Sequence, residues 1–327
     1  MILRNKRILF IEPKFFNYDK AIKKELIEQG ADVDSISYYK DSVLFRATRY
    51  FPSIQGWLMN QYFLKQYRHL KSTKYDFIFA IRGGKLTPKT IQEIQAKSPN
   101  ATSILYLWDS IVENPYVRKI IPLFQKIMSF DQKDCKKFGF NYLPLFYTKD
   151  FESKKQKTEK IFKYDIVFIG RDHSDRYDIL KKLKKECERL DLKPHFFLYT
   201  SRLGFIKRKL LGILKGKKIS RFEFEFTPIS HAEISKIYAR AKSVVDIELS
   251  IQSGLTMRTF ELLASETKMI TTNQNIKDLE LYNPANIHII DRESPKLDKQ
   301  FFANDFIHDG RIRKYSLENW IKNIFVN

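Results

Sequence analysis

Four clusters of residues in this sequence have the types and spacing to do chemistry. The first is Gly170–Arg171–Asp172–His173–Ser174–Asp175–Arg176, between an apolar run and a helical pattern. Glycine lets a ligand approach the backbone. Free N–H groups at the helix start, with Arg171 or Arg176, suit a phosphate. A glycine turn followed by a Ser or Asp helix cap accounts for the same residues without a ligand. The second cluster is the run 250–264, SIQSGLTMRTFELLA. Ser253 and Gly254 form a turn, and a helix begins near Leu255 and Thr256. Its first amides and Arg258 would face an anion. Glu261 follows about one and a half turns later, where a carboxylate can accept two hydrogen bonds from a ribose diol.

The third cluster is Arg82–Gly83–Gly84–Lys85, after an apolar run and before a helix. Two glycines beside Arg and Lys suit an anion or a close ligand. The fourth is Trp108–Asp109–Ser110, also at the end of an apolar run. Asp109 there is a candidate general base; as a plain alternative it caps a helix over 110–119.

Other chemistries lack their motifs. There is no GxGxxG after the first apolar run and no GxxxxGK[ST], which argues against a Rossmann dehydrogenase and a P-loop NTPase. There is no GxSxG elbow. The six histidines form no pair at ligand spacing, so no metal site is expected. Cys135 and Cys187 are too few for a disulfide framework, which fits a reducing compartment. No run approaches the ~20 apolar residues that span a bilayer. The expectation is a cytoplasmic protein, free or peripheral on a membrane surface.

The charge requires explanation. The 327 residues carry 59 Lys and Arg against 38 Asp and Glu, a net +21. Such a balance favours polyanions: nucleic acid, anionic lipid or phosphorylated small molecules. A lysine-coated surface gives the same total. The basic residues cluster over 202–221, RLGFIKRKLLGILKGKKISR. Leu203, Ile206, Leu210 and Ile213 stand at helical spacing among Lys207, Arg208 and Lys209. That pattern suits an anionic membrane surface or a core-facing helix with a solvated basic side.

These clusters need elements to hold them. Apolar runs at 7–12, 32–38, 75–81, 102–108 and 126–130 read as strands, with helices at 19–29, 88–97 and 131–138 between them. Strands alternating with helices imply βαβ units and a parallel sheet. An aromatic segment, 43–70, has helical spacing broken at Pro52 and Gly56; its Trp57, Tyr62, Phe63 and Tyr67 suit core packing or sugar stacking. The charged stretch 151–163 reads as a linker. The alternation restarts with strands at 164–170, 195–200, 221–226, 243–249, 268–272 and 286–290. Helices are expected over 175–190, over 230–239 with Ser230 and Glu233 as a capping box, and from Thr256. An amphipathic helix closes the chain. The expected class is α/β, with two tandem Rossmann-like domains: 1–150, then the linker 151–163, then 164–315, and a last helix 316–327.

The turn, helix, Glu261 and the small-residue run 264–272 together resemble the donor domain of GT-B glycosyltransferases. Glu266 stands where a glycine is usual in that run. YDFIFAIRGG, ILYLWDS, MSFDQKDCKKFGFNYLPLFY, FIGRDHSDRY, QSGLTMRTFELLA and MITTNQNIKDLELYNPANIHIIDR, spread over 75–295, resemble bacterial capsular and lipopolysaccharide biosynthesis proteins related to CgeB-like glycosyltransferases. The resemblance implies GT-B architecture, a final helix crossing back to the N-terminal domain, and transfer of a sugar from a nucleotide-sugar donor to a surface-polysaccharide or lipid-linked glycan. Glu261 would bind the ribose. The amides after Gly254 and Arg258 would meet the pyrophosphate, Gly170 would let the donor approach, and Thr200 and Pro228 would line the base pocket. The acceptor would lie at the N-terminal domain, near Arg82, Gly83, Gly84 and Trp108. No metal or cofactor is implied. Asp109 is the first candidate base of an inverting reaction and Asp131 the second; a retaining reaction needs neither. The alternative is a non-enzymatic polyanion or nucleic-acid binder on the same scaffold.

Overall fold

The apolar runs form two parallel sheets in a computed structural model of the chain, which describes residues 1–12, 17–37, 48, 51–70, 74–83, 86–152, 162–214, 216 and 219–326. The first sheet holds β1 (Arg7–Glu12), β2 (Asp32–Ser37), β3 (Phe77–Ile81), β4 (Thr102–Leu107), β5 (Lys126–Ser129) and β6 (Asn141–Tyr142), in the order β2-β1-β3-β4-β5-β6. Its helices are α1 (Tyr18–Glu28), α2 (Pro52–Arg68), α3 (Pro88–Lys97) and α4 (Gln132–Phe138). The second sheet holds β7 (Tyr164–Arg171), β8 (Pro194–Tyr199), β9 (Ala241–Asp246), β10 (Lys268–Thr271) and β11 (Ile287–Ile289), in the order β11-β10-β9-β7-β8. With it go α5 (Arg176–Leu190), α6 (Arg202–Leu214), α7 (His231–Tyr238), α8 (Met257–Ala264) and α9 (Lys299–Ala303); α10 (Leu317–Phe325) ends the chain. The ladders are parallel throughout.

The chain divides into two compact units. One is Met1–Thr148 with Ile251–Leu255 and Lys314–Asn327; the other is Lys149–Ser250 with Thr256–Arg313. The expected boundaries, with 164–315 as the second domain, place 251–255 there instead. This segment packs in the first unit because the Asp131 carboxylate binds Ser253 and Gly254.

Alternation along the strands explains why the first sheet is apolar on both faces. Leu9, Ile11, Ile78, Ala80, Leu105 and Leu107 pack with Met59 and Phe63 of α2 and Ile91 and Ile94 of α3. Phe10, Phe79 and Tyr106 take the intervening positions. Phe79 and Tyr106 meet Trp320 of α10, with ring centroids 6.1 and 4.8 Å away. Phe146 lies 4.6 Å from the same ring. Trp320 is 1% exposed. The returning chain is aligned by Tyr147, whose amide donates to Tyr315 O and whose carbonyl accepts from Leu317 N, both at 2.9 Å. Ser316 caps α10 through Asn319 N. The second unit has its own core of Ile166, Phe168, Leu180, Leu198, Val245 and Ile270, among others. Both cysteines are free and buried. Burial pushes the Cys135 and Cys187 thiols up to about 11 and about 12.

Several local expectations change. Pro52 starts α2, and Gly56 lies inside it without a break; 43–47 lie outside the described residues. Residues 110–119 form turns and a 3-10 helix, Pro115–Lys119, and no α-helix for Asp109 to cap. RFEFEF at 221–226 is no strand. Glu223 turns back on the Ser220 amide at 3.2 Å and accepts from the Tyr177 hydroxyl at 2.5 Å, which curls 221–223 into a 3-10 turn. A single bridge, Tyr199 to Glu225, remains. Of the expected linker, 153–161 lie outside the described residues. Among the described residues no helix is long and apolar enough to cross a membrane.

Trp320→Ala should cost about 3–5 kcal/mol, the usual loss for a buried aromatic. Urea unfolding followed by fluorescence of the remaining tryptophans measures it; an unmoved midpoint would show that α10 does not hold the first sheet.

Candidate functional site

Ligands of open parallel sheets bind at the C-terminal ends of the strands. In the second unit these ends carry buried ions. Asp246 ends β9 and Glu248 follows two residues later, 3% and 6% exposed. After β10 comes Thr272 and after β11 Arg292. Arg292 donates to Asp175 Oδ1 and Oδ2 at 3.0 and 2.9 Å and to Glu248 Oε1 at 2.6 Å. Thr272 Oγ1 donates to Glu248 Oε2 at 2.5 Å. Burial works against the charge of Arg292, and Glu248 and Asp175 more than restore it. Nothing in the sequence singles out Asp246, Glu248 or Arg292 as site residues, and Thr272 enters only as the end of the small-residue run 264–272. The signal was present as polar residues directly after apolar runs, in VVDIE, MITT and IIDR.

Arg176 and Arg258 turn inward. Nε and Nη2 of Arg176 donate to Ile247 O at 2.9 and 2.7 Å, and Nη1 reaches Arg171 O at 3.2 Å. Burial, with Arg258 nearby, lowers the pKa of Arg176. Arg258 donates to Ile169 O at 2.7 Å and pairs with Asp246 Oδ1 at 3.3 Å. Its guanidinium lies over the Phe168 ring, 5.9 Å from the centroid. Burial opposes its charge, while Tyr238, Asp246 and Glu261 raise its pKa above the ordinary arginine value. Both guanidiniums thus satisfy backbone carbonyls: Ile247 O just past β9, and Ile169 O beyond the point where β7 stops pairing with β9. Glu261, on the same helix as Arg258, is 5% exposed. Thr256 precedes α8 and donates its hydroxyl to Asp246 Oδ2 at 2.8 Å.

The remaining residues of that half are placed as follows. A Cβ on Gly170 would lie 2.7 Å from the Phe168 ring, so the absent side chain makes room for Phe168 as well as for any ligand. Arg171 and His173 are exposed. Ser174 has φ 56°, a left-handed residue in the turn before α5. Thr200 is buried at the end of β8, its amide donating to Glu225 O at 2.9 Å. Pro228 is exposed.

The Ser253–Gly254 turn is held inside the first unit by Asp131. Oδ1 of Asp131 accepts from Lys133 N at 2.9 Å, Asp134 N at 3.1 Å and Ser253 Oγ at 2.7 Å. Oδ2 accepts from Ser253 N at 2.8 Å and Gly254 N at 3.2 Å. A Cβ on Gly254 would stand 2.4 Å from the Phe130 ring and 2.9 Å from its carbonyl oxygen. So the Gly254 amide, where an anion was expected nearby, already faces a carboxylate. Leu255 is buried beside it. Asp131 was the second candidate base, and the structure corrects that: an anion with five donors is a clamp. Burial would raise its pKa, but the bonds from Ser253, Asp134 and Gly254 win and lower it.

At the strand ends of the first sheet, Arg82 and Gly83 both have left-handed backbones, φ 68° and 60°. For Arg82 this costs about 1–3 kcal/mol, a strain typical of functional turns. A Cβ on Gly83 would lie 2.7 Å from Ile120. The Arg82 guanidinium pairs with Asp109 Oδ2. The structure thus joins the third and fourth clusters, which are 27 residues apart in the sequence. Trp108 is half-buried and packs on Tyr18 and Phe146. Gly84 lies outside the described residues.

No protein-family model and no curated protein sequence matches the chain. Solved structures do. One is an α-glucosyltransferase in complex with UDP and a 13-mer DNA, at 12% identity and TM-score 0.59 over 98% of this chain and 95% of that one. A second is the Methanocaldococcus jannaschii UDP-GlcNAc 2-epimerase in complex with UDP-GlcNAc and UDP, at 11% identity and TM-score 0.57 over 98% and 99%. A third is the lipopolysaccharide outer core galactosyltransferase WaaB in its apo form, at 11% identity and TM-score 0.51 over 98% and 99%. The likeness is one of fold: two parallel-sheet domains of the GT-B architecture.

Asp131→Asn should destabilise the protein by about 1–3 kcal/mol, since its amide presents hydrogens to bound donors. The wild-type contribution is complete above the ordinary aspartate value of 3.8 and is lost as pH falls through the lowered folded value. Thermal unfolding from neutral to acid pH tests this: the two proteins should converge at the acid end, and parallel curves would refute the clamp.

Proposed function

We propose that the chain transfers a sugar from a nucleotide-sugar donor to a surface-polysaccharide or lipid-linked glycan. The observation that carries the proposal is the ion-lined edge of the second sheet. There Thr256 and Arg258 at the start of α8 are bound to Asp246, with Glu261 one turn further on. This edge of a GT-B sheet combines a helix N-terminus, guanidiniums and a buried carboxylate. A nucleoside diphosphate requires the same three: amides and cations for the phosphates, and a carboxylate for the ribose diol. Glu261 binds the ribose. The α8 amides, supported by Arg258 and Arg176, take the charge that develops on the leaving diphosphate. Positive charge from the protein makes the transfer independent of metal.

Asp109 is the base for the acceptor hydroxyl, oriented by Arg82. The strained left-handed backbone at Arg82 supports a functional use of that turn. The UDP-GlcNAc 2-epimerase among the similar structures shares the fold with different chemistry. Transfer is preferred for this chain because of the sequence likeness carried by 250–264 and the strings over 75–295. A second reading, a polyanion binder without catalysis, is favoured by the net charge of +21 alone.

Melting temperature should rise selectively with one of UDP, GDP, ADP, CMP or dTDP, with or without EDTA. No rise with any of them, together with salt-steep binding of nucleic acid, would replace transfer by the polyanion reading.

Glu261→Gln should weaken the effective nucleotide about 10- to 100-fold, the loss expected for two charge-assisted hydrogen bonds. Calorimetry measures it; unchanged affinity removes the ribose assignment. Asp109→Asn should lower kcat about 10²–10⁴-fold with the donor KM little changed. An undiminished kcat would leave the reaction without this base.

A further inference from the structure

Helix α6 carries most of its apolar side chains on the outside. Phe205, Arg208 and Gly212 face the second unit. Phe205 packs on Phe224 and Phe226, at 5.4 and 5.6 Å between ring centroids. Gly212 is buried. Leu203, Ile206, Leu210, Ile213 and Leu214 are all exposed, Leu203 by 79% and Leu214 by 82%. At 3.6 residues per turn these five fall within an arc of about 100°, directly opposite the packed side. The usual surface helix has the reverse arrangement. Lys207 flanks the ridge on one side and Lys209 on the other, both exposed. The stretch 202–221 contains no Asp or Glu.

Arg208 does not belong to this basic rim. Its Nε pairs with Asp172 at 2.5 Å, Nη2 donates to Ser174 O at 3.1 Å, and the guanidinium lies over the Tyr177 ring. The sequence reading grouped it with Lys207 and Lys209. The structure instead makes it the pin that fastens α6 to the turn between β7 and α5, at the C-terminal edge of the second sheet.

We infer that the outer face of α6 docks on an anionic lipid bilayer. An apolar ridge between lysines matches the acyl boundary below a layer of negative headgroups. A second copy of the chain fits less well, because pairing this face with itself would bring acid-free basic rims together. Nucleic acid also fits less well, because the centre of the face is apolar and phosphates require cations there. Docking through α6 brings the ion-lined edge of the second sheet to the membrane, since Arg208 fixes the helix to that edge. The inference stands independently of the transferase reading.

The test is flotation of the full chain with phosphatidylglycerol vesicles and with phosphatidylcholine vesicles. The wild type should float with the first and not the second, and salt should reduce it. Leu210→Glu with Leu214→Glu, and separately Lys207→Glu with Lys209→Glu, should each lower the bound fraction at least tenfold at unchanged melting temperature. Absence of wild-type flotation, equal flotation of the variants, or equal binding to both lipids would overturn the inference. So would a dimer in gel filtration that the leucine variants abolish, which would assign the face to self-association. Nucleotide-induced stabilisation is read separately, so failure of docking and failure of the donor site are distinguishable.

Discussion

One carboxylate settles where the segment before α8 goes. Asp131 is 2% exposed, and an anion so buried is tolerable only with a full set of donors. Its own helix supplies the amides of Lys133 and Asp134. The rest come from Ser253 and Gly254, more than a hundred residues later. The need to satisfy this group places 251–255 in the first unit, although the chain on both sides belongs to the second. Gly254 is required for the same reason: any side chain would strike Phe130. The helix that carries Arg258 and Glu261 therefore starts directly after a segment of fixed conformation.

The second unit solves a related problem at its strand ends. The carbonyl of Ile247 lies just past β9 and that of Ile169 beyond the end of the β7–β9 pairing, and inward-turned arginines take them. The arginines in turn need counter-charges. Asp246 faces Arg258, and Glu248 with Asp175 faces Arg292. Arg176, Arg258 and Arg292 are thus balanced by carboxylates within one small region. A charged ligand arriving there would meet oriented dipoles and guanidiniums already ordered, which is the preorganisation that charge-separating reactions require. The same economy explains Arg208, which neutralises Asp172 in the adjoining turn while fixing α6.

Sequence pattern alone predicted the elements well where burial is continuous. RILFIE, FIFAI and YDIVFIG are apolar because both faces of their sheets are covered, so their run length marks a strand. The capping box of Ser230 with Glu233 was legible for the same local reason. RFEFEF misled because alternation signals a strand only when the chain stays extended, and Glu223 curls it back. The glycine turn, Arg258 and Glu261 were recognisable as a group by spacing, and so were Arg82 and Asp109 as separate strand-end residues.

Direction and partnership were decided only in three dimensions. Helical spacing in 202–214 defines an apolar stripe but not whether it points in or out; Phe205 and Arg208 decide that it points out. Asp131 looks like any helix cap until Ser253 arrives, 122 residues away. Arg292 and Asp175 meet across 117 residues. What the sequence by itself determined are properties set within a few residues: strand, helix, cap and turn. Which charge neutralises which, and which face meets solvent, depend on contacts between distant segments, and only folding brings those together.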